Sequence, residues 1–132
     1  RPTGARVATW VRDRFGYFAA SRPNTGFGSA YDPHCISCPF TIDEGARVFV
    51  NAAGLGEHSQ LEVELLDLQF RRIPGYSGAD AVTLTESGIR LPLKWAGGEN
   101  LGKLDHPVRV RVNWKGVRPE DARLFAVYVT LE

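Results

Sequence analysis

The chain has 132 residues, of which 43% are hydrophobic and 23% charged, with a net charge of +1 at pH 7. That size and balance predict a single domain over residues 1–132, with a core large enough to need no metal or disulfide staple. A charge this close to zero supplies no field to gather a polyanion, which argues against nucleic acid as a partner. No run approaches the roughly 18 consecutive apolar residues of a membrane span.

Taken in chain order, Val7 to Val11 alternates weakly around Trp10 and predicts a first strand with the indole inward. After Asp13-Arg14, residues 15–20 predict a second. Residues 22–39 carry Pro23, Asn24, Gly26, Gly28, Asp32, Pro33 and Pro39, and predict one long irregular loop. Loops beyond about 12 residues are commonly functional. This one holds Tyr31 and both cysteines of the chain, Cys35 and Cys38.

A Cys-x-x-Cys pair is a redox couple, half of a zinc site, or a local disulfide. No helical pattern follows the pair, which disfavours redox chemistry. Zinc requires about four ligands, and beyond His34 only His58 and His106 are on offer. The expectation is a Cys35–Cys38 disulfide, which would imply an oxidising compartment. Free thiols and a metal site are the alternatives.

Phe40-Thr41-Ile42 predicts a strand start, and Arg47 to Asn51 a strong strand of β-branched and aromatic residues. Gln60 to Asp67 alternates almost without fault, placing Leu61, Val63 and Leu65 in the core and Glu62 and Glu64 in solvent. Pro74-Gly75 breaks the chain, and Ala81 to Leu84 is a short strand. Ile89, Leu91, Leu93 and Trp95 share one face of the next strand, and Pro92 marks that strand as an edge or a bulge because it cannot donate to a ladder. Residues 108–114 alternate valine inward with Arg109 and Arg111 outward. Arg123 to Leu131 is the last strand. About eight to ten short strands with regular turns predict an all-β fold, an antiparallel β-sandwich of jelly-roll type.

The order of these segments resembles a known family. Arg47-Val48-Phe49-Val50-Asn51-Ala52 is followed by Leu61 to Asp67, then Ile73-Pro74-Gly75-Tyr76-Ser77, Trp95-Ala96-Gly97-Gly98 and Pro107 to Val112. This is similar to the C-terminal β-sandwich domain of secreted glycoside hydrolases of the family 32 type and of sialidase-like bacterial proteins. The resemblance spans residues 5 to 131. It implies a non-catalytic accessory or carbohydrate-binding domain of a secreted or cell-surface protein, with a polysaccharide or glycan as partner. The loop at 22–39 and the stretch from Lys115 to Asp121 depart from that pattern, and leave a self-associating structural domain, a homo-oligomer, as the alternative.

Sugars bind by stacking on aromatic rings beside polar groups that fix their hydroxyls. Tyr31 and Tyr76 lie among Gly and Pro turns, where loops carry function on a rigid frame. With Asp80 and Trp95 they form the expected ligand site, although the alternation reads Trp95 first as a core residue. Trp10 and Trp114 read as core. Arg109 and Arg111 are either a solvated edge or a guanidinium site for sulfated or uronic sugars. No acid–base pair, activated nucleophile or Ser-His-Asp grouping can be assembled, so no enzyme is expected. No cofactor or metal is expected either; the one candidate is a structural calcium held by scattered loop oxygens, since no loop supplies its ligands in series.

Overall fold

A computed structural model of the chain describes residues 7–21 and 33–131. The predicted ligand residue Tyr31 and most of the loop at 22–39 lie outside them. The strands are β1 (Phe18–Ala19), β2 (His34–Ile36), β3 (Arg47–Ala53), β4 (Gln60–Leu66), β5 (Val82–Leu84), β6 (Gly88–Pro92), β7 (Arg109–Lys115) and β8 (Arg123–Thr130). They form two four-stranded antiparallel sheets, A in the order β1-β8-β3-β6 and B in the order β2-β7-β4-β5. The order shows how the chain is wound. β1 lies beside β8, β2 beside β7, β3 beside β6 and β4 beside β5, so the chain is one long ribbon folded back on itself. The ribbon then rolls until β8 meets β3 and β7 meets β4, which is a jelly roll.

The period of two decides what goes inside. Val48, Val50 and Ala52 of β3, Leu61, Val63 and Leu65 of β4, and Val110, Val112 and Trp114 of β7 are buried in one shared core. Trp95 joins them from the loop after β6 at 4% exposure. The Trp114 indole donates to the carbonyl of Ala122 at 3.0 Å. Pro92 falls on β6 at the edge of sheet A, as its missing N–H requires.

Turns follow local chemistry. Tyr76 N donates to Ile73 O at 3.1 Å around Pro74-Gly75, with Gly75 at φ 87°. Proline followed by a residue of positive φ is the signature of a type II turn.

Several expectations fail, the first being the irregular loop over 22–39, since His34–Ile36 within it pairs with β7 as strand β2. Residues 7–11 form no strand, and Trp10 is 60% exposed, its ring 4.9 Å from Phe15 rather than in the core. This segment is instead held across the outside of sheet A by polar contacts that periodicity cannot reveal. Arg14 Nε donates to Asn51 Oδ1 at 3.0 Å, and Asn51 Nδ2 donates to Arg12 O at 3.2 Å. Tyr128 Oη donates to Asp13 Oδ2 at 2.6 Å. The second predicted strand shrinks to Phe18–Ala19.

The expected Cys35–Cys38 disulfide fails as well. Both thiols are free. Cys35 lies in β2 opposite Val112, and the extended pairing runs on through Ser37 N to Val110 O and Phe40 N to Val108 O. Residues three apart on extended chain point to opposite faces and stand about 10 Å apart, beyond the reach of a disulfide. Burial pushes the Cys35 thiol above its usual pKa, with a smaller opposing effect from the backbone of Val112.

Candidate functional site

Side chains directly opposite in an antiparallel ladder share a face. On the outside of sheet B the register therefore sets His34, Asn113, Glu62 and Thr83 in one row across all four strands. The next row holds Ile36, Arg111 and Glu64. The third holds Arg109, Leu66 and Arg72, the last through an isolated bridge to Leu66. Both predicted arginines thus share a polar face with residues of four other chain segments.

This face is wired internally. Arg111 Nε donates to Asn113 Oδ1 at 2.7 Å, and Asn113 Nδ2 donates to Glu62 Oε1 at 3.1 Å. Arg111 Nε also lies 3.8 Å from Glu64 Oε1. Glu64, expected in solvent, is only 1% exposed. The chain after β4 turns back and runs alongside it, with Ile73 N on Leu65 O and Leu65 N on Tyr76 O. Ser77 Oγ bonds Leu65 O as well. Gly78 N then donates to Glu64 Oε2 at 3.3 Å, so the buried carboxylate has a backbone donor and a guanidinium beside it. Both of these Arg111 contacts use Nε, and among the described residues nothing engages its terminal amino groups.

The rim is a short loop carrying an aromatic. Phe70 is 55% exposed and sits at φ 64°, unusual for a bulky residue. Its ring lies 4.2 Å from the Arg109 guanidinium, whose Nη1 donates to Ser37 O at 3.2 Å. Asp67 holds the loop. Its Oδ1 accepts from Gln69 N and Arg71 N, both at 2.9 Å, and its Oδ2 pairs with Arg71 Nε at 2.9 Å. The Arg71 backbone N–H is the main cause that keeps the Asp67 carboxyl below the usual carboxylate range. A carboxylate with a lowered folded pKa contributes stability that is complete above the ordinary carboxylate range and is lost as pH falls through the lowered value. Acidification should therefore release the Phe70 loop while the sandwich stays folded. Amide exchange at Gln69 and Arg71 across acid pH measures this, and Asp67→Ala should open the same amides at neutral pH. Amides that stay equally protected in Asp67→Ala would show that the carboxylate does not hold the loop.

The other predicted ligand residues do not join these rows of side chains. Tyr76 and Trp95 meet edge to face with centroids 5.4 Å apart, and the Tyr76 hydroxyl accepts from Gly102 N at 2.9 Å. Trp95 is buried and Tyr76 half-buried against it, so this pair is part of the frame beneath the loops. Asp80 is exposed on the short 3-10 turn Gly78–Asp80. Sequence reasoning missed His34, Glu62, Asn113 and Phe70. Asn113 was within reach, since it continues the alternation of Arg109 and Arg111.

Among the described residues, no group of three or more His, Cys, Asp or Glu side chains could hold a metal ion, and no helix is long and apolar enough to cross a membrane. Fold and face together define an antiparallel jelly-roll sandwich with a hydrogen-bonding outer sheet. No protein-family model, curated protein or solved structure matches the chain.

Proposed function

We propose that this domain is a non-catalytic carbohydrate-binding module of a secreted or cell-surface protein, and that it takes sugars bearing carboxylate or sulfate on the outer face of sheet B. The observation that carries this reading is the Arg111 guanidinium. Among the described residues it is held by Asn113 and Glu64 through Nε, which leaves its terminal amino groups to meet a ligand. A planar fork of that kind matches a carboxylate or sulfate edge. Arg109 lies two residues along the same strand, braced by Phe70, with exposed His34 and Thr83 nearby to meet hydroxyl groups. The segment-order resemblance to accessory domains of secreted hydrolases supports the same reading.

Calorimetry against neutral, uronic and sulfated oligosaccharides tests it. The acidic sugars should bind and the neutral ones should bind weakly. Arg109→Ala should weaken binding by about 1.5 to 3 kcal/mol, the scale of a hydrogen bond to a charged group. Asp80→Ala, on the exposed turn Gly78–Asp80, should change nothing. Loss in Asp80→Ala with full affinity in Arg109→Ala would move the site to the Tyr76–Asp80 loops, and no binding of any sugar class would remove the glycan reading.

A further inference from the structure

The two sheets end in four edge strands, β1 and β6 in sheet A and β2 and β5 in sheet B. Proteins guard such edges with proline, charge or brevity, because unpaired backbone groups are a template for another strand. β6 carries Arg90 and Pro92, and β2 and β5 are three residues each. The β1 edge fails for a different reason. It is two residues long and covers only Arg123 and Leu124 of β8, whereas β8 runs on to Thr130 against β3. Tyr17 and Arg14 still meet the Phe125 ring, at 5.6 and 4.7 Å, but beyond it no described strand pairs with Val127 or Val129 on that side, and the sequence from Phe125 to Leu131 holds no charge, no proline and no glycine.

The backbone of this bare edge is set for pairing. Leu93 N donates to Val48 O, so the alternate residues of β3 turn their groups towards β8. Their partners Ala126, Tyr128 and Thr130 face β3, and the N–H and C=O of Val127 and Val129 point out of the sheet. Behind them the sandwich is open. A cavity of about 530 Å³ lies between the sheets, lined by Cys35, Phe40, Val110, Val112, Val127 and Val129 among others. Val129 faces the core side, in register with Val48, yet is 37% exposed.

We propose that a second copy of this chain docks here, its β8 antiparallel to this one about a twofold axis at Tyr128, so that sheet A runs on from one protomer into the other. The argument for a second copy is charge and register. Within β8 itself no like charges are opposed, the Asp13 carboxylate beside Tyr128 being bonded to the Tyr128 hydroxyl, and a twofold pairs Val127 with Val129 of the other copy in both directions. The incoming strand takes the rank that β1 leaves empty beyond Leu124, and its valines close the mouth of the cavity. This surface is separate from the glycan face on sheet B and stands without it.

Sedimentation velocity of the whole chain from low micromolar to near-millimolar concentration tests the proposal. The expected result is a reversible dimer, with the amides of Val127 and Val129 exchanging more slowly as concentration rises. Val127→Pro removes an outward N–H, and Val129→Lys sets a charge on the edge. Each should raise the dissociation constant by at least about tenfold. Circular dichroism identifies a variant that fails to fold, and amide exchange in the unaltered chain does not depend on either. A chain that stays monomeric throughout overturns the proposal. So does a dimer that survives both edge substitutions but is lost in Phe15→Ser, which would place the contact on the exposed aromatics of residues 7–18.

Discussion

Val63→Asp should leave the chain largely unfolded at room temperature. Val63 is fully buried at the centre of sheet B, with Val112 on one side and Val82 on the other. A carboxylate there finds core hydrocarbon on its own face of the sheet. The cost should exceed about 3 kcal/mol, a large part of the roughly 5 to 15 kcal/mol by which a domain of this size is stable. Thr83→Asp is the matched control, because Thr83 pairs with Glu62 on the outer face and is exposed. It should change stability by about 0.5 kcal/mol or less. Urea unfolding followed by far-UV circular dichroism measures both. An unchanged midpoint in Val63→Asp would contradict the register of β4.

Gly54→Ala should be nearly as damaging, though it adds a single carbon. Gly54 sits at φ 74°, where L-residues are strained, and an added Cβ would fall 1.9 Å from the carbonyl oxygen of Asp121. The obstacle is backbone, so no side chain can swing aside. Relief requires the turn after β3 to part from the residues leading into β8, where Ala53 pairs with Arg123. The expected loss is roughly 3 kcal/mol or more, adding left-handed strain to a displaced strand end. Gly97→Ala is the comparison. Gly97 has no atom within 4 Å of an added Cβ and needs no positive φ, and its melting temperature should hold.

Much of the fold was legible because alternation is local. Leu61, Val63 and Leu65, and Val110, Val112 and Trp114, went inside as their spacing required. Pro92 marked an edge for a reason of backbone chemistry alone. What was hidden depends on contacts between distant segments. Glu64 is buried because residues 71–78 pass over it, and nothing in Glu62-Val63-Glu64 announces that return. Trp10 lies outside because Arg14 and Asp13 bind Asn51 and Tyr128, side chains 37 and 115 residues away from their partners. The arginine pair was legible as an outward stripe, but its neighbours His34 and Thr83 arrive from strands that only the topology brings alongside.

The rolled ribbon also sets a schedule for making the protein. β8 is the last strand to be synthesised, yet it is an interior strand of sheet A, between β1 and β3. β7 holds the same interior place in sheet B and is also late. While the chain emerges, β3 can pair only with β6, and the apolar faces of β3 and β4 have no finished partner sheets. The domain must therefore wait until the C-terminal quarter is out, and then close both sheets together across long sequence separations. Such closures are slow, because loop entropy is lost before the contacts that reward it form. A ribosome stalled before Arg123 should hold a chain whose sheet A is no more than the β3–β6 pair, exposed to proteases and chaperones alike.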